Sequence, residues 1–537
     1  MKKLLPTLLC LLALFSLPMY GQESVIKLTT HMKPTDRFNI SIKCDGTPKV
    51  EGASGMESGG SPMWDGSVNY QLSVKQPELT ITGTNITLCT IGQDSIYSLD
   101  VTGCPTLEEL TCPGNYLTEI DLSKSVKLKT FICYNNDITS IDLSNCPELY
   151  QFDCNANPIT AIDLKANSEL TFLTCGSTKV QKLDLSGCTK LEELIAPNTS
   201  VEEIDLSGLS YLTEVNCNQN SNLRKLTLAG NTALRNLEAG NCAIEQIDLS
   251  EATALTYLIL SNNQLSTFTA SNPSVETIDL RNNKLQEITL PECKNLQSVT
   301  LYNNFIKGAA MTAFMNSLPE AKKSSYFRAP KIELITTDNA QERNICLVSD
   351  VKIATDKGWE VFGNSESTST VSPYAGAALY PVTLEVAKHG KAQLTGADDL
   401  TAIPERTELK LTMTPDEGYV VDRVYCNHEL LEVDGNEVTI VVREETLVEV
   451  FFKDPLSINP IEESAQVKLF PTIADQLLTV TGLMPQELIS IYTLSGVRLA
   501  TIEADLQGTV SVDLSTYSEG GYLLQHQGGA ARFVVKH

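Results

Sequence analysis

Phe131-Ile132-Cys133-Tyr134-Asn135-Asn136-Asp137-Ile138-Thr139-Ser140-Ile141-Asp142-Leu143-Ser144 decides the fold, because the chain repeats this stretch with a fixed period. The aliphatic residue three places ahead of Phe131 is Leu128, and its equivalents are Ile86, Leu107, Leu149, Leu170, Leu191, Leu212, Leu234, Leu255, Val275 and Leu296. Most intervals are 21 residues; those ending at Leu234 and Val275 are 22 and 20. A period of this length means a solenoid, in which each unit buries its apolar face only against its neighbours. The function of such a chain is sought on a long surface and not in a cleft.

Stacked on one another, the rungs show columns of constant character. Three places after the opening residue stand Leu110, Phe131, Phe152, Leu173, Leu194, Val215, Leu237, Leu258, Ile278 and Val299. Five places after it stand Cys112, Cys133, Cys154, Cys175 and Cys217, with Ala196, Ala239, Leu260, Leu280 and Leu301 filling the rest. Eight places after it stand Asn115, Asn136, Asn157, Asn220, Asn263, Asn283 and Asn304, with Thr178, Thr199 and Cys242 as substitutes. The first half of each rung alternates with period two, so it reads as a strand with one buried face. A buried amide can both donate to and accept from the turn backbone, which ties rung to rung. The second half, usually IDLS, also alternates, so the back of the solenoid is expected to be extended and not helical.

This is the leucine-rich repeat pattern L-x-x-L-x-L-x-x-N/C/T-x-L. The fold class expected is mostly β: about eleven rungs, a β-rich N-terminal cap, a short helical C-terminal cap and two small all-β domains.

The cysteine column would stack at roughly 4.8 Å, the spacing of adjacent strands. A disulfide wants its Cβ atoms at about 3.8 Å with a specific twist, which in-register parallel neighbours meet poorly. Free thiols packed as small hydrophobes are expected. A second column (Cys104, Cys146, Cys188, Cys293) is spaced mostly two rungs apart, too far to bridge. No CxxC or paired Cys/His spacing points to a metal. Asp100, Asp121, Asp142, Asp163, Asp184, Asp205 and Asp248 form an outward acidic column. It reads as a solvated edge that discourages pairing with another chain; a calcium ladder is the alternative.

The outward columns of the front strands are the expected working surface, the concave face. Its candidate partner-binding residues are Tyr134, Asp153, Phe172, Glu193, Glu214, Tyr257, Arg281 and Tyr302. Exposed aromatics along a sheet suit a protein-binding patch, against the plain alternative of scattered surface hydrophobes.

The chain has 537 residues, 42% of them apolar, and a formal net charge of −26. That balance argues against nucleic acid or an anionic membrane as partner. Residues 1–21 read as a signal peptide, with Lys2 and Lys3 ahead of the apolar run Leu4 to Leu17. No other run is long and apolar enough for a membrane helix. Residues 22–85 read as the N-terminal cap and 86–308 as the solenoid. Residues 309–377 read as C-terminal cap and linker, with helices over Ala309 to Leu318 and Val351 to Trp359 and a Ser/Thr-rich linker at Ser365 to Ser372. Residues 378–453 read as a small β module, 454–465 as a second linker and 466–537 as a terminal β domain.

Three segments resemble known families. The rungs are similar to the cysteine-ladder repeats of internalin-J-type surface proteins. Residues 378–453, with Thr414-Pro415-Asp416-Glu417-Gly418-Tyr419 and a final Val448-Glu449-Val450-Phe451-Phe452, resemble the internalin B-repeat modules of bacterial surface proteins. The tail resembles the C-terminal sorting domain of the type IX secretion system of Bacteroidetes. It matches in Phe470-Pro471-Thr472, Ile491-Tyr492-Thr493-Leu494-Ser495-Gly496, Val512-Asp513-Leu514, Gly521-Tyr522 and Val535-Lys536-His537, with Thr472 where the family usually has Asn. These resemblances imply a secreted or outer-membrane-surface adhesin that binds a protein or glycoconjugate on host or bacterial surfaces, in attachment or biofilm, with the secretion machinery as a second partner. A passive surface spacer is the alternative. HExxH, G-x-S-x-G and phosphate-loop signatures are absent from the sequence, so no enzyme, no catalytic residue and no cofactor is expected.

Overall fold

A computed structural model describes residues 21–537 apart from 59–62, 64, 93–94, 322–328, 340, 398, 455–467, 471–472, 475, 495, 528 and 537. The segments expected as signal peptide (1–21) and second linker (454–465) therefore fall almost wholly outside the described residues. The chain forms two compact units: residues up to Pro381 with 401–407 and 441–444, and the remainder.

The first unit is a β solenoid. Its front sheet joins three-residue strands in parallel register, beginning Glu109–Thr111, Thr130–Ile132, Gln151–Asp153 and Phe172–Thr174. Leu110 stands on Phe131, Phe131 on Phe152 and Phe152 on Leu173. This column is fully buried and its two phenyl rings stack at 5.7 Å. Each such side chain contributes about 1.5–3 kcal/mol by leaving water, and period 21 places it on its neighbour in every rung.

Every described cysteine is a free thiol, and Cys112, Cys133, Cys154, Cys175 and Cys217 are wholly buried. Burial pushes the Cys175 thiol up to about 12, so it stays protonated and packs as an apolar group. The asparagine column works as expected. Asn136 donates from Nδ2 to Cys112 O and Cys133 O (both 3.0 Å), and its Oδ1 accepts from Leu117 N–H at 3.0 Å. Thr178 retains only the bond to the carbonyl of its own rung, Cys175 O, at 2.8 Å.

The residue before each of these positions adopts the left-handed conformation. Asn135, Ala156, Ser177, Asn198, Gln219, Asn241, Asn262, Asn282 and Asn303 have φ of 51–62°. Asn tolerates this region, whereas other L-residues bear strain there.

The second cysteine column belongs to a longer one. Ser125, Asn167, Leu209, Asn231, Ala252 and Asn272 fill the rungs between Cys104, Cys146, Cys188 and Cys293, and all are buried. Asn167 donates to Leu143 O (3.2 Å) and Cys146 O (2.9 Å), and Asn231 and Asn272 repeat the arrangement. The back of the rungs is extended, with short parallel pairs Glu203–Asp205/Lys225–Thr227 and Thr267–Thr269/Glu287–Thr289.

The acidic column has a structural task that neither sequence reading foresaw. Asp121, Asp142, Asp163, Asp184, Asp205 and Asp248 each accept, on Oδ1, the backbone N–H two residues on, at 2.8–3.2 Å. Each closes the turn that leads into the next rung. The Ser144 side chain and backbone hold the Asp142 carboxyl below the usual range.

At the start, strand Glu78–Thr90 serves two structures at once. It pairs antiparallel with Glu23–Thr30 and Arg37–Glu51, and its end pairs in parallel with Glu109–Thr111. The cap is thus continuous with the first rung.

At the other end the front sheet runs past Leu296. Strands Lys331–Thr336 and Glu360–Ser365 continue it in register, with Val299 on Ile332 and Ile332 on Val361. These rungs are 33 and 29 residues long (331 − 298, 360 − 331), because they carry α1 (Ala309–Ser317) and α2 (Val348–Asp356). The 21-residue period therefore loses them. Asn344 continues the asparagine column, accepting from Ile306 N–H at 2.9 Å. Buried Glu342 accepts backbone N–H from Asn303, Thr336 and Asn344. Helix α2 starts ahead of the expected Val351, since Asp350 accepts the Leu347 N–H and caps it. The Ser/Thr-rich stretch expected as a linker is a hairpin: Thr370–Pro373 pairs antiparallel with Glu360–Ser365. Asp338 gathers Ser365, Glu366 and Ser367 there, which explains the composition.

In the second unit, Val382–Val386, Thr446–Lys453 and Val420–Cys426 form one sheet, and Gly390–Thr395, Glu408–Pro415 and Glu437–Val441 another. The terminal domain has its own core, including Leu478, Ile489, Ile491, Leu524 and Phe533, between a three-stranded and a five-stranded sheet.

Candidate interaction face

Because successive strand residues point to opposite sides, the residues flanking the buried column face outward together. One outward row runs Glu109, Thr130, Gln151, Phe172, Glu193, Glu214, Asn236, Tyr257, Thr277 and Ser298. The next runs Thr111, Ile132, Asp153, Thr174, Ile195, Asn216, Glu238, Ile259, Asp279 and Thr300. The sheet thus brings Asp153, Phe172, Glu193, Glu214 and Tyr257 onto one surface, with Tyr134 and Arg281 just beyond the strand ends.

Tyr134 and Tyr257 are exposed (38% and 39%), and Phe172 is half-buried. Tyr302 departs from the expectation. It is 7% exposed, because the sheet does not end at its rung but continues with Lys331–Thr336. Arg281 lies over its ring at 5.8 Å and donates from Nη1 to its hydroxyl at 3.2 Å. Arg281 Nε also stands 3.5 Å from Asp279 Oδ2.

The electrostatics of the face are uneven. Arg281 is paired with Asp279, and Lys331 with Glu333 at 2.9 Å. The acids in the middle have no base beside them in these rows. Burial pushes Asp153 up, against the Asn155 N–H it accepts. Burial, then the neighbouring charge of Glu214, pushes Glu193 up. Glu238 is held by the amides of Asn216 (3.2 Å) and Asn218 (2.7 Å). A half-desolvated acidic strip between aromatic patches is suited to a cationic and aromatic counter-surface. Among the described residues no group of three or more His, Cys, Asp or Glu is arranged to hold a metal ion.

Residues 126–166 match the family model for leucine-rich repeats, two copies. The repeats are leucine-rich repeats. Among solved structures, the functional domain of InlJ from Listeria monocytogenes, described as including a cysteine ladder, is 16% identical. That match covers 71% of this chain and 93% of the other, with a TM-score of 0.42. YopM, a leucine-rich effector protein of Yersinia pestis, is 21% identical over 43% of this chain and 63% of its own, TM-score 0.34. The plant peptide hormone receptor RGFR1, in complex with RGF2, is 21% identical over 38% and 41%, TM-score 0.31. No curated protein matches the sequence.

Sequence reasoning missed four structural sets: the left-handed column, the Asn167/Asn231/Asn272 column, Asn344 and Glu342. The first two carry a signal, since polar or small residues recur at one offset in successive rungs. The last two sit in rungs whose length breaks the period.

Proposed function

We propose that this protein is a surface interaction protein, an adhesin, whose leucine-rich-repeat front face binds a protein partner presenting basic and apolar groups. The observation that carries this reading is the single in-register sheet with exposed Tyr134 and Tyr257 flanking the half-buried acids Asp153, Glu193 and Glu214. Aromatic anchors beside uncompensated charge have the composition of a binding hot spot. The tail's likeness to type IX sorting domains supports export and display at the outer-membrane surface, where the partner is on a host or bacterial cell. The role of the chain is then attachment and not catalysis.

The test is attachment of the full chain to host cells and to neighbouring bacteria, for the native protein and for Tyr134→Ser/Phe172→Ser/Tyr257→Ser. Loss of about tenfold or more in attachment is expected, with a steep fall as salt rises. Unchanged attachment in the triple variant removes the front-face reading. Attachment by neither protein favours a passive spacer. Deleting 466–537 is expected to hold the protein inside the outer membrane, and normal display of that truncation refutes the sorting reading.

A further inference from the structure

The terminal domain presents a six-residue sheet edge to solvent. Its five-stranded sheet runs in the order Ile473–Ala474, Gly529–Val535, Gly520–His526, Leu488–Thr493 and Arg498–Glu503. Of the two edge strands, Ile473–Ala474 has only two residues, and so short an edge is a poor template for another chain. Arg498–Glu503 has six, and among the described residues it pairs only with Leu488–Thr493. It holds no Pro or Lys, the residues that commonly blunt an edge. Exposed Leu494, Val497 and Leu499 stand at its start, and exposed Leu506 lies just past its end.

The register decides what this edge presents. Glu503 stands opposite Leu488, Ile502 opposite Ile489, Thr501 opposite Ser490, Ala500 opposite Ile491 and Arg498 opposite Tyr492, which leaves Leu499 as the extra residue of a bulge. Ile489 and Ile491 are fully buried, so Ala500 and Ile502 share the core side. Both pack against that core but are only half-buried, because no further strand covers them. Glu503, Thr501 and Arg498 are exposed and share the opposite side, where the Thr501 and Ser490 hydroxyls meet at 3.2 Å. The bulge gives this row a centre. Arg498 takes the slot that Leu499 would hold in a regular strand, so Glu503 and Arg498 each stand two ladder positions from Thr501.

A second copy, antiparallel about a two-fold axis at Thr501, fits this edge position by position. Residues directly opposite each other point to the same side. Thr501 then faces Thr501 of the second copy, Ala500 faces its Ile502 on the core side, and Arg498 faces its Glu503. The two-fold repeats the last two contacts, giving two reciprocal ion pairs. An isologous contact requires such self-complementarity. Neither Arg498 nor Glu503 has an ion-pair partner of its own among the described residues. A strand of unrelated sequence has no reason to carry the same charges in reverse order.

We propose that the terminal domain joins two copies of this chain by pairing their Arg498–Glu503 edges into one continuous sheet, so that one assembly carries two front faces.

Analytical ultracentrifugation of the full chain tests this. A monomer–dimer equilibrium with Kd at or below about 100 μM is expected for so small a contact. Thr501→Lys sets two ammonium groups face to face on the two-fold and is expected to weaken dimerisation by about tenfold or more, with an unchanged far-UV CD spectrum. Arg498→Glu and Glu503→Arg are each expected to weaken it by about tenfold, and the two together to restore it to within about threefold of native. The two residues lie at opposite ends of one strand, so no contact within a single chain accounts for such a rescue. Thr501→Cys is expected to give a reducible covalent dimer on mild oxidation, since opposed Cα atoms at about 4.5–5.5 Å suit a disulfide. Gln507→Cys, in the exposed turn beyond the strand, is not. A chain that stays monomeric up to about 300 μM, even one whose edge captures a strand of another protein, overturns the proposal. So does a dimer indifferent to Thr501→Lys, a charge swap that restores nothing, or a dimer lost in Tyr134→Ser/Phe172→Ser/Tyr257→Ser, which would place the contact on the front face.

Discussion

Asn157→Ala is the sharpest test of how the rungs are joined. Asn157 is 2% exposed. Its Nδ2 donates to Cys133 O (2.9 Å) and Cys154 O (3.1 Å), and its Oδ1 accepts the Ile138 N–H at 3.0 Å. Truncation strands Ile138 N–H and Cys154 O. Cys133 O keeps its second donor, Asn136 Nδ2, at 3.0 Å. Two buried groups at about 1–3 kcal/mol each give a loss of roughly 2–6 kcal/mol. Asn157→Thr keeps the bond to its own carbonyl, as Thr178 does with Cys175 O, and strands mainly one group, so about half that loss is expected. Urea unfolding followed by the fluorescence of buried Trp359 reports the far end of the solenoid. Hydrogen exchange at Ile138 reports the lesion itself, and a 3 kcal/mol local loss accelerates it by more than about 100-fold. Both readouts are needed, because repeat arrays can unfold in parts. A loss below about 1 kcal/mol for Asn157→Ala, or equal losses for Ala and Thr, refutes the amide-ladder reasoning.

Three further outcomes follow from the geometry. Ala156 sits at φ 53°, so Ala156→Asn is expected to stabilise by about 1 kcal/mol in calorimetry by relieving left-handed strain. The Asp121, Asp142 and Asp184 carboxyls are held low by the turns they close. Their stabilisation is present above the ordinary Asp value and fades as pH falls through the lowered one, so the melting temperature of Asp142→Ala should lie below native at pH 7 and converge with it in strong acid, while added calcium shifts neither. Asp153 runs the other way: its carboxyl is raised by burial, so its favourable contribution is complete below the ordinary Asp value and is lost as pH rises through the raised one. Asp153→Asn keeps an acceptor for the Asn155 N–H and should melt higher than native at pH 7 but not at pH 3.

The rungs from Ile86 to Leu301 were legible because one residue type per column repeats under the same physical demand. Leu and Phe are buried, Cys and Ala are small, and Asn is the amide that reaches two carbonyls and one N–H. Helix α1 was legible from composition, and α2 shifted because its cap, Asp350, lies outside the apolar spacing. The last two rungs were hidden by their helical insertions, and with them the burial of Tyr302. A Tyr in an outward column reads as exposed until the next strand covers it. The hairpin at Ser365–Pro373 read as linker because its Ser residues serve Asp338, which is distant in sequence.

The sequence by itself determined the solenoid, the free thiol column and the outward face, since a fixed period converts local residue choice directly into spatial neighbours. Only the tertiary structure decided where that face ends, which of its aromatics remain open and why the back aspartates recur. Each of these depends on which backbone N–H or which strand lies beside a residue from another rung, and that cannot be read from the column to which the residue belongs.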